Sequence, residues 1–500
     1  MLKTIYIFNP AYKLKNDRKR IFITDNGEEK KEIKNINTDF LSLVNPIHAI
    51  MFTFFDGLKT LEICQKLISD FFNIPIENIP EILDIYIENS KEIITEYEGI
   101  RYEIPKNVII KNNNKDTRTL KPEDFIIEPE DFDFKTERLY TPLGLTFMIT
   151  NKCVTDCIYC YADRKTKYNE LSFERVKEII KEARNIGMRN FDLNGGELFL
   201  YKYWEKLLTE LYKYGFNPYI STKVPIDTIT INKLIELGVK TIQISIDSID
   251  KTILSTMLNV SHTYKEKIQD TIINCDKSGI KIRINTVLTK YNIKIDKVKE
   301  LLEFLISIKN VENINLTVAG YSIYKSELDY LKYRPTEKSI FKLQNFLKEF
   351  KKNNITIPNI ELNGYAQKNE FEGSLKYKKE NFNNRAKCTG NIENFYILPD
   401  GKVTICEELY WHPRFLIGNL QKNSIDEVWN SSKAWDLFNL SKEMVQEKSA
   451  CKTCNDFDKC YKVPGHCWKL VIEAYGEENW DFPDPRCQYA PKPFNKIYVE

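Results

Sequence analysis

Five hundred residues exceed what one ordinary core accommodates and predict two to four domains. Hydrophobic content of 42% beside 29% charged residues describes a globular chain, and a net charge of +2 exerts no whole-chain pull toward nucleic acid or an anionic membrane. No run approaches ~18 uninterrupted apolar residues, and MLKTIYIFNPAYKLK has no small-residue cleavage site, so a cytoplasmic protein without membrane or nucleic-acid partners is expected.

The chain opens with strand-like runs at 4–8 (TIYIF) and 20–24 (RIFIT). A helix follows, entered through Pro46 and stopped by Gly57. Thr60 caps a second, which places Leu61, Cys64, Leu67 and Ile68 on one face. A third, near 77–89, carries Ile79, Ile82, Leu83 and Tyr86. Short strands and three helices make residues 1–95 an α+β unit of winged-helix type. Residues 77–91 hold more acid than base, which disfavours DNA binding. Residues 96–142, with KNNNKD and PEDFIIEPEDFDF, read as a connecting segment.

From 143 strands and helices alternate. Strand-like runs fall at 144–150, 191–194, 218–222, 241–246, 282–288 and 314–318, with helical patterns between them. Six such units predict an α/β fold, a parallel sheet with outer helices, short of a complete eight-strand barrel. In such sheets chemistry collects at the strands' carboxyl ends. Cys153 follows the first strand and Gly195, Gly196 and Glu197 follow the second, so both reach one rim. A core over 143–335, a bridging region over 336–384 and a cysteine-rich region over 385–500 complete the expected organisation.

The chain has twelve cysteines but only four histidines, which leaves little for Cys2His2 zinc sites. Cys64 and Cys275 stand alone in helical patterns and read as small buried hydrophobes. The others form two groups, which in a reducing compartment point to metal rather than disulfides. In NKCVTDCIYCYA, Cys153, Cys157 and Cys160 are spaced C-x3-C-x2-C. Structural zinc wants four closed ligands, whereas three thiolates in one loop can hold three irons of a [4Fe–4S] cluster and leave the fourth open. A zinc site borrowing a distant ligand and a plain electron-transfer cluster stay open as alternatives.

That spacing, after the first strand of a partial (β/α)6 barrel, resembles the radical S-adenosylmethionine (SAM) enzymes. Tyr159 matches the aromatic that packs the adenine, and Asn194-Gly195-Gly196-Glu197 matches the motif that receives the methionine amino group. Ser221, Thr222, Ser245, Asp247 and Asn285 correspond to contacts with the SAM carboxylate or ribose, or to ordinary strand-end polarity. The arginine–glycine pair that many relatives carry after strand four is replaced by TMLNVSHTYKE, which leaves Lys223 and Lys251 as substitute carboxylate anchors. The resemblance implies that SAM chelates the open iron and that one electron from the reduced cluster cleaves its C5′–S bond. The resulting 5′-deoxyadenosyl radical abstracts hydrogen from an inert carbon.

The second group, Cys388, Cys406, Cys451, Cys454, Cys460, Cys467 and Cys487, resembles the SPASM domain with its two auxiliary [4Fe–4S] clusters. The resemblance assigns Cys451, Cys454, Cys460 and Cys487 to one, and Cys388, Cys406 and Cys467 to the other. The eighth cysteine of full members is missing from GNIENFYIL, so the second cluster is expected to keep an open iron able to ligate a substrate thiolate, or else to take water or a non-cysteine ligand. Glu407 and Glu408, beside Cys406, read as solvated, and no general base is identifiable.

LVNPIHAIMFTFFDGLKTLEICQKL resembles the PqqD-like domain, which binds a precursor peptide's leader by strand addition, although a generic winged helix also fits. Together these resemblances imply a cytoplasmic maturase of a ribosomal precursor peptide, with three clusters, SAM and a flavodoxin- or ferredoxin-type donor. It would form Cys sulfur-to-carbon thioethers of sactipeptide or ranthipeptide type. The alternatives are carbon–carbon or carbon–oxygen crosslinking, formylglycine formation, and a non-enzymatic iron–sulfur peptide-binding protein.

Overall fold

Strands whose faces alternate between buried apolar and half-exposed polar residues organise most of this chain. The computed structural model describes residues 3–25, 41–97, 99–162, 166–353, 358–365, 368–409, 412–462 and 466–498. Two units are distinct: 1–143 with 184–189, and 144–183 with 190–500.

Among the described residues the first unit holds eight strands: β1 (Ile5–Phe8), β2 (Tyr12–Asn16), β3 (Ile21–Asp25), β4 (Leu41–Val44), β5 (Asp56–Thr60), β6 (Ile93–Tyr97), β7 (Ile100–Ile104) and β8 (Ile109–Lys111). They form sheets β5-β1-β8 and β2-β3-β4 and the hairpin β6-β7. Pro46 sits in the first turn of the helix Pro46–Thr53, and Asn45 caps it by accepting from the Ile47 N–H at 2.9 Å. Thr60 caps Leu61–Phe72, where Cys64 and Ile68 are fully buried. Gly57, expected as a helix stop, instead lies in β5 at φ +84°, where a Cβ would meet the Asp116 carbonyl oxygen at 2.3 Å.

The helix expected near 77–89 is shorter, a 3-10 turn at Ile76–Asn78 and then Ile79–Asp84. It ends early because the chain turns to pair with β8. Ile87 bridges Ile109, and the Glu88 N–H donates to the Ile109 carbonyl at 2.8 Å. Residues 96–142, read as a connection, supply β7 and β8 and bury Ile104, Val108, Ile109 and Phe125 in the same core as Phe8 and Phe52. The unit is thus richer in strand than a winged helix requires.

In the second unit all six expected strands form: β9 (Gly144–Thr150), β10 (Asn190–Gly195), β11 (Ser221–Thr222), β12 (Thr241–Ser245), β13 (Lys281–Leu288) and β14 (Val311–Val318). Helices separate them, and the pairings β10-β9 and β11-β12-β13-β14 are parallel. On β13 and β14 the residues Ile282, Ile284, Leu288, Ile314, Leu316 and Val318 are buried, while Asn285, Asn315 and Thr317 between them are half-buried. A closed barrel fills its interior with apolar side chains; here polar groups line a cavity.

These strands fall into two sheets, β10-β9 and β11-β12-β13-β14, and each is extended by a further strand. From the bridging region, β15 (Asn359–Asn363) pairs in parallel with β14. From the cysteine-rich region, β16 (Asn394–Ile397) pairs in parallel with β9, setting Asn394 opposite Gly144, and continues antiparallel into β17 (Lys402–Thr404) and β18 (Leu416–Asn419). The cysteine-rich region is therefore hydrogen-bonded to the strand that launches the three-thiol loop. Among the described residues no helix is long and apolar enough to cross a membrane.

Candidate active site

The strand ends converge on a cavity of about 770 Å³ reached by the cysteine loop, by residues 194–197 and by Glu407, Glu408 and Lys469 from the cysteine-rich region. Among the described residues no two of the twelve cysteines are joined in a disulfide.

The cysteine loop has few side chains to pack and is held through its backbone. The N–H groups of Asp156 and Ile158 donate to the carbonyls of Leu258 and Met257, each at 2.9 Å. Those carbonyls end the helix Lys251–Leu258, which stops at left-handed Asn259 and leaves acceptors free for the loop. The stretch that lacks the relatives' arginine–glycine pair thus serves as the loop's seat. Thr155 Oγ1 lies 3.3 Å from both Cys153 Sγ and Cys157 Sγ. Burial pushes the Cys157 thiol up, against the opposing pull of the Lys223 ammonium.

The two glycines of NGGE are needed for close approach. A Cβ on Gly195, whose φ is +143°, would sit 2.3 Å from the Thr150 carbonyl oxygen, and one on Gly196 would sit 2.1 Å from that of Lys152. The Gly196 N–H donates to the Thr150 carbonyl at 2.8 Å, which fixes this cradle to the base of the cysteine loop. Glu197 is 3% exposed and accepts from the Lys223 N–H at 3.2 Å and the Phe199 N–H at 3.4 Å. Burial raises its carboxyl to about 7 even so. Such a carboxylate favours a cation.

Lys223, whose N–H holds Glu197, brings a positive charge to the same cavity. Its ammonium donates to Asp247 Oδ2 at 2.9 Å and to the Tyr159 hydroxyl at 2.6 Å, and Tyr159 in turn donates to Asp247. Asp247 is held by the Val287 N–H at 2.9 Å. Tyr159, expected to pack an adenine, spends its hydroxyl on this ion pair. Lys251 is exposed in the first turn of its helix, so of the two candidate anchors Lys223 is the one lining the cavity. Ser221, Thr222, Ser245 and Asn285 also line it. Thr222 donates to the Val224 carbonyl at 3.1 Å, Ser245 accepts from Gln243 at 2.9 Å and Asn285 accepts from Asn315 at 3.1 Å.

Sequence reasoning missed two residues here. Glu407, expected as solvated, is half-buried in the cavity wall, where it accepts from Asn194 Nδ2 at 2.6 Å and the Tyr161 hydroxyl at 3.0 Å. Burial, reinforced by neighbouring Glu408, raises its carboxyl. Glu408 pairs with Lys469 at 3.4 Å. The signal for Glu407 and Tyr161 was their position, each one residue past an expected cluster ligand.

Cys451, Cys454, Cys460 and Cys487 line one cavity of about 390 Å³. Cys467 lies within electrostatic reach of both Cys406 and Cys388, and Gly390 brings the Cys388 turn against Ile405, where a Cβ would meet the carbonyl oxygen at 2.3 Å. Residues 463–465, within the spacing that precedes Cys467, lie outside the described residues. Cys64 and Cys275 are fully buried, with thiols raised to about 12 by burial, and take no part. Among the described residues no three Cys, His, Asp or Glu side chains converge closely enough for a single metal ion. Thiols ringing a cavity suit a multi-atom cluster better than one tetrahedral zinc. The three-thiol loop, glycine cradle and buried Glu197 fit a cluster and a ligand bearing an ammonium.

Fold and site together define a radical SAM enzyme with an iron–sulfur SPASM domain. Residues 147–305 match the radical SAM superfamily and residues 388–455 the SPASM iron–sulfur cluster-binding domain. Among solved structures, SuiB of Streptococcus suis bound to precursor peptide SuiA is similar over 97% of this chain and 100% of its own, with a TM-score of 0.63 and 16% identity. SuiB bound to S-adenosylmethionine is similar over 96% and 100%, with a TM-score of 0.62 and 14% identity. At such identities the likeness establishes the fold.

Proposed function

We propose that this radical SAM enzyme matures a ribosomally synthesised precursor peptide, joining a cysteine sulfur to an acceptor carbon as a thioether of sactipeptide or ranthipeptide type. One observation carries the proposal: Asn194 of NGGE is hydrogen-bonded to Glu407, the residue after Cys406, so the SAM cradle and an auxiliary ligand loop share one cavity. The chain-length likeness to SuiB, solved with its precursor peptide, supports a peptide as substrate.

Cys153, Cys157 and Cys160 would hold the first cluster, which with SAM supplies the radical that removes a substrate hydrogen. Glu197 would take the SAM ammonium, Lys223 its carboxylate, and Tyr159, Ser221, Thr222, Ser245, Asp247 and Asn285 would shape the rest of the site. Cys451, Cys454, Cys460 and Cys487 would close a second cluster. Cys388, Cys406 and Cys467 would hold a third with one iron open to a substrate thiolate, beside the cavity where the radical forms. The loss of two hydrogens per crosslink, one from the thiol and one from the acceptor carbon, needs an electron acceptor, which the auxiliary clusters provide. The PqqD-like reading of 1–95 assigns leader capture to that unit, tethering the core peptide at raised local concentration. The protein would work in the cytoplasm with a flavodoxin- or ferredoxin-type donor.

Anaerobic reconstitution with SAM and dithionite tests the chemistry through release of 5′-deoxyadenosine. Coexpression with a short cysteine-rich reading frame neighbouring the gene tests the substrate. Loss of two hydrogens per crosslink, with the cysteine no longer alkylatable, is expected; an unmodified peptide beside active SAM cleavage would refute the peptide reading.

A further inference from the structure

The cysteine loop rests on the helix Lys251–Leu258 on one side. On the other it meets the turn between β14 and the helix Glu327–Tyr333. Ser322 Oγ lies 3.5 Å from the Tyr161 carbonyl oxygen, and the half-buried Lys325 sends its ammonium to the carbonyls of Cys157, at 3.2 Å, and Ile158. The lysine's place is itself fixed, since its N–H donates to the Ser322 carbonyl at 2.9 Å and its ammonium stands 5.9 Å from the centre of the Tyr333 ring.

A cation bonded to two carbonyls of a ligand loop does two things. It orients the loop's peptide dipoles, and it stands as a fixed positive charge beside whatever the thiols hold. Lys325 is in electrostatic contact with Cys157 and Cys160. The acids facing it are Asp156, which is exposed, and Asp329, which already pairs with Lys332 at 2.9 Å. Its charge is therefore directed chiefly at the loop. Cluster potentials follow net charge, hydrogen bonding and solvent exposure, and a nearby fixed cation favours the form that has gained an electron.

We infer that Lys325 is a positioning residue that raises the reduction potential of the cluster held by Cys153, Cys157 and Cys160, through its charge fixed on the Cys157 and Ile158 carbonyls. It makes a cluster that must accept an external electron easier to reduce. This effect rests on the reading that Cys153, Cys157 and Cys160 hold a cluster and is independent of the peptide substrate.

The test is a redox titration of the reconstituted enzyme by electron paramagnetic resonance, taking the signal that changes on adding SAM as that of the three-thiol cluster, with iron content measured in parallel. Lys325→Gln and Lys325→Met should retain iron but lower the reduced-to-oxidised ratio at fixed potential about tenfold, which is about 59 mV for one electron. Lys325→Arg should stay within about threefold of wild type by the same relation. Ser322→Ala, which trims the neighbouring loop contact without changing charge, should leave the potential unmoved. An unshifted potential in the iron-loaded neutral variants would overturn the inference. So would loss of the cluster from both neutral variants, since the lysine would then hold the loop together rather than tune it.

Discussion

Asn194 Nδ2 donates to Glu407 Oε2 across 2.6 Å, joining two residues 213 positions apart. One belongs to the NGGE run at the end of β10, the other to the loop carrying Cys406. Tyr161, next to Cys160, closes the group through its own bond to Glu407.

This junction predicts a defined loss. In Glu407→Ala a half-buried amide and a half-buried hydroxyl lose an acceptor, at a cost of about 1 kcal/mol. The thermal midpoint of the apoprotein should fall, and so should coupling between SAM cleavage and substrate modification. Glu407→Gln, which keeps one acceptor, should recover part of both. Calorimetry and the ratio of 5′-deoxyadenosine to product read the two effects.

The glycine cradle predicts a local failure. Gly195→Ala and Gly196→Ala each drive a methyl into a backbone carbonyl, at 2.3 and 2.1 Å. Overpacking of this kind costs about 1–3 kcal/mol, and here it displaces the base of the cysteine loop. The SAM-sensitive resonance signal should vanish while auxiliary iron remains, as iron analysis of the reconstituted variants would reveal.

Glu197 predicts a pH dependence with a definite sign. Its carboxyl is raised from the ordinary value of 4.5 to about 7, so between those values the folded protein binds the extra proton. The apoprotein's stability therefore declines as pH climbs through that window, by up to about 3 kcal/mol from this residue. Glu473, raised to about 7 by burial as well, adds to the same trend. A ligand ammonium needs Glu197 ionised, so SAM affinity should strengthen as pH rises through about 7. Glu197→Gln should bind weakly and without that slope, measured by calorimetric titration of the anaerobic protein.

The division of auxiliary thiols predicts separable iron losses. Cys451→Ala should remove the iron of the four-thiol cavity alone, and Cys467→Ala that of the Cys388–Cys406 group alone. Iron loss at both sites from either single variant would merge the two groups.

Several of these residues were legible in the sequence and several were not. Cys153, Cys157, Cys160 and the NGGE run announce themselves because ligand spacing and backbone approach are local demands, met within a few residues of one strand end. The six parallel strands were equally visible, since period-two burial and helical stripes are written along each segment. The strand β8 hid in a charged stretch because only three residues pair. Glu407 looked solvated because an acidic residue beside a cysteine carries no local mark of burial.

By itself, the sequence determined which chemistry the chain can hold: thiols counted and spaced for clusters, and glycines where a Cβ would collide. Tertiary structure alone decided how these meet, by pairing β16 with β9, seating the cysteine loop on the Lys251–Leu258 helix, bringing Lys223 and Glu407 to one cavity and setting the Lys325 ammonium on the loop's carbonyls. The reason is physical. Covalent spacing sets what neighbours along the chain can do, whereas burial and charge pairing between distant residues exist only once hydrogen-bonded strands have brought them together.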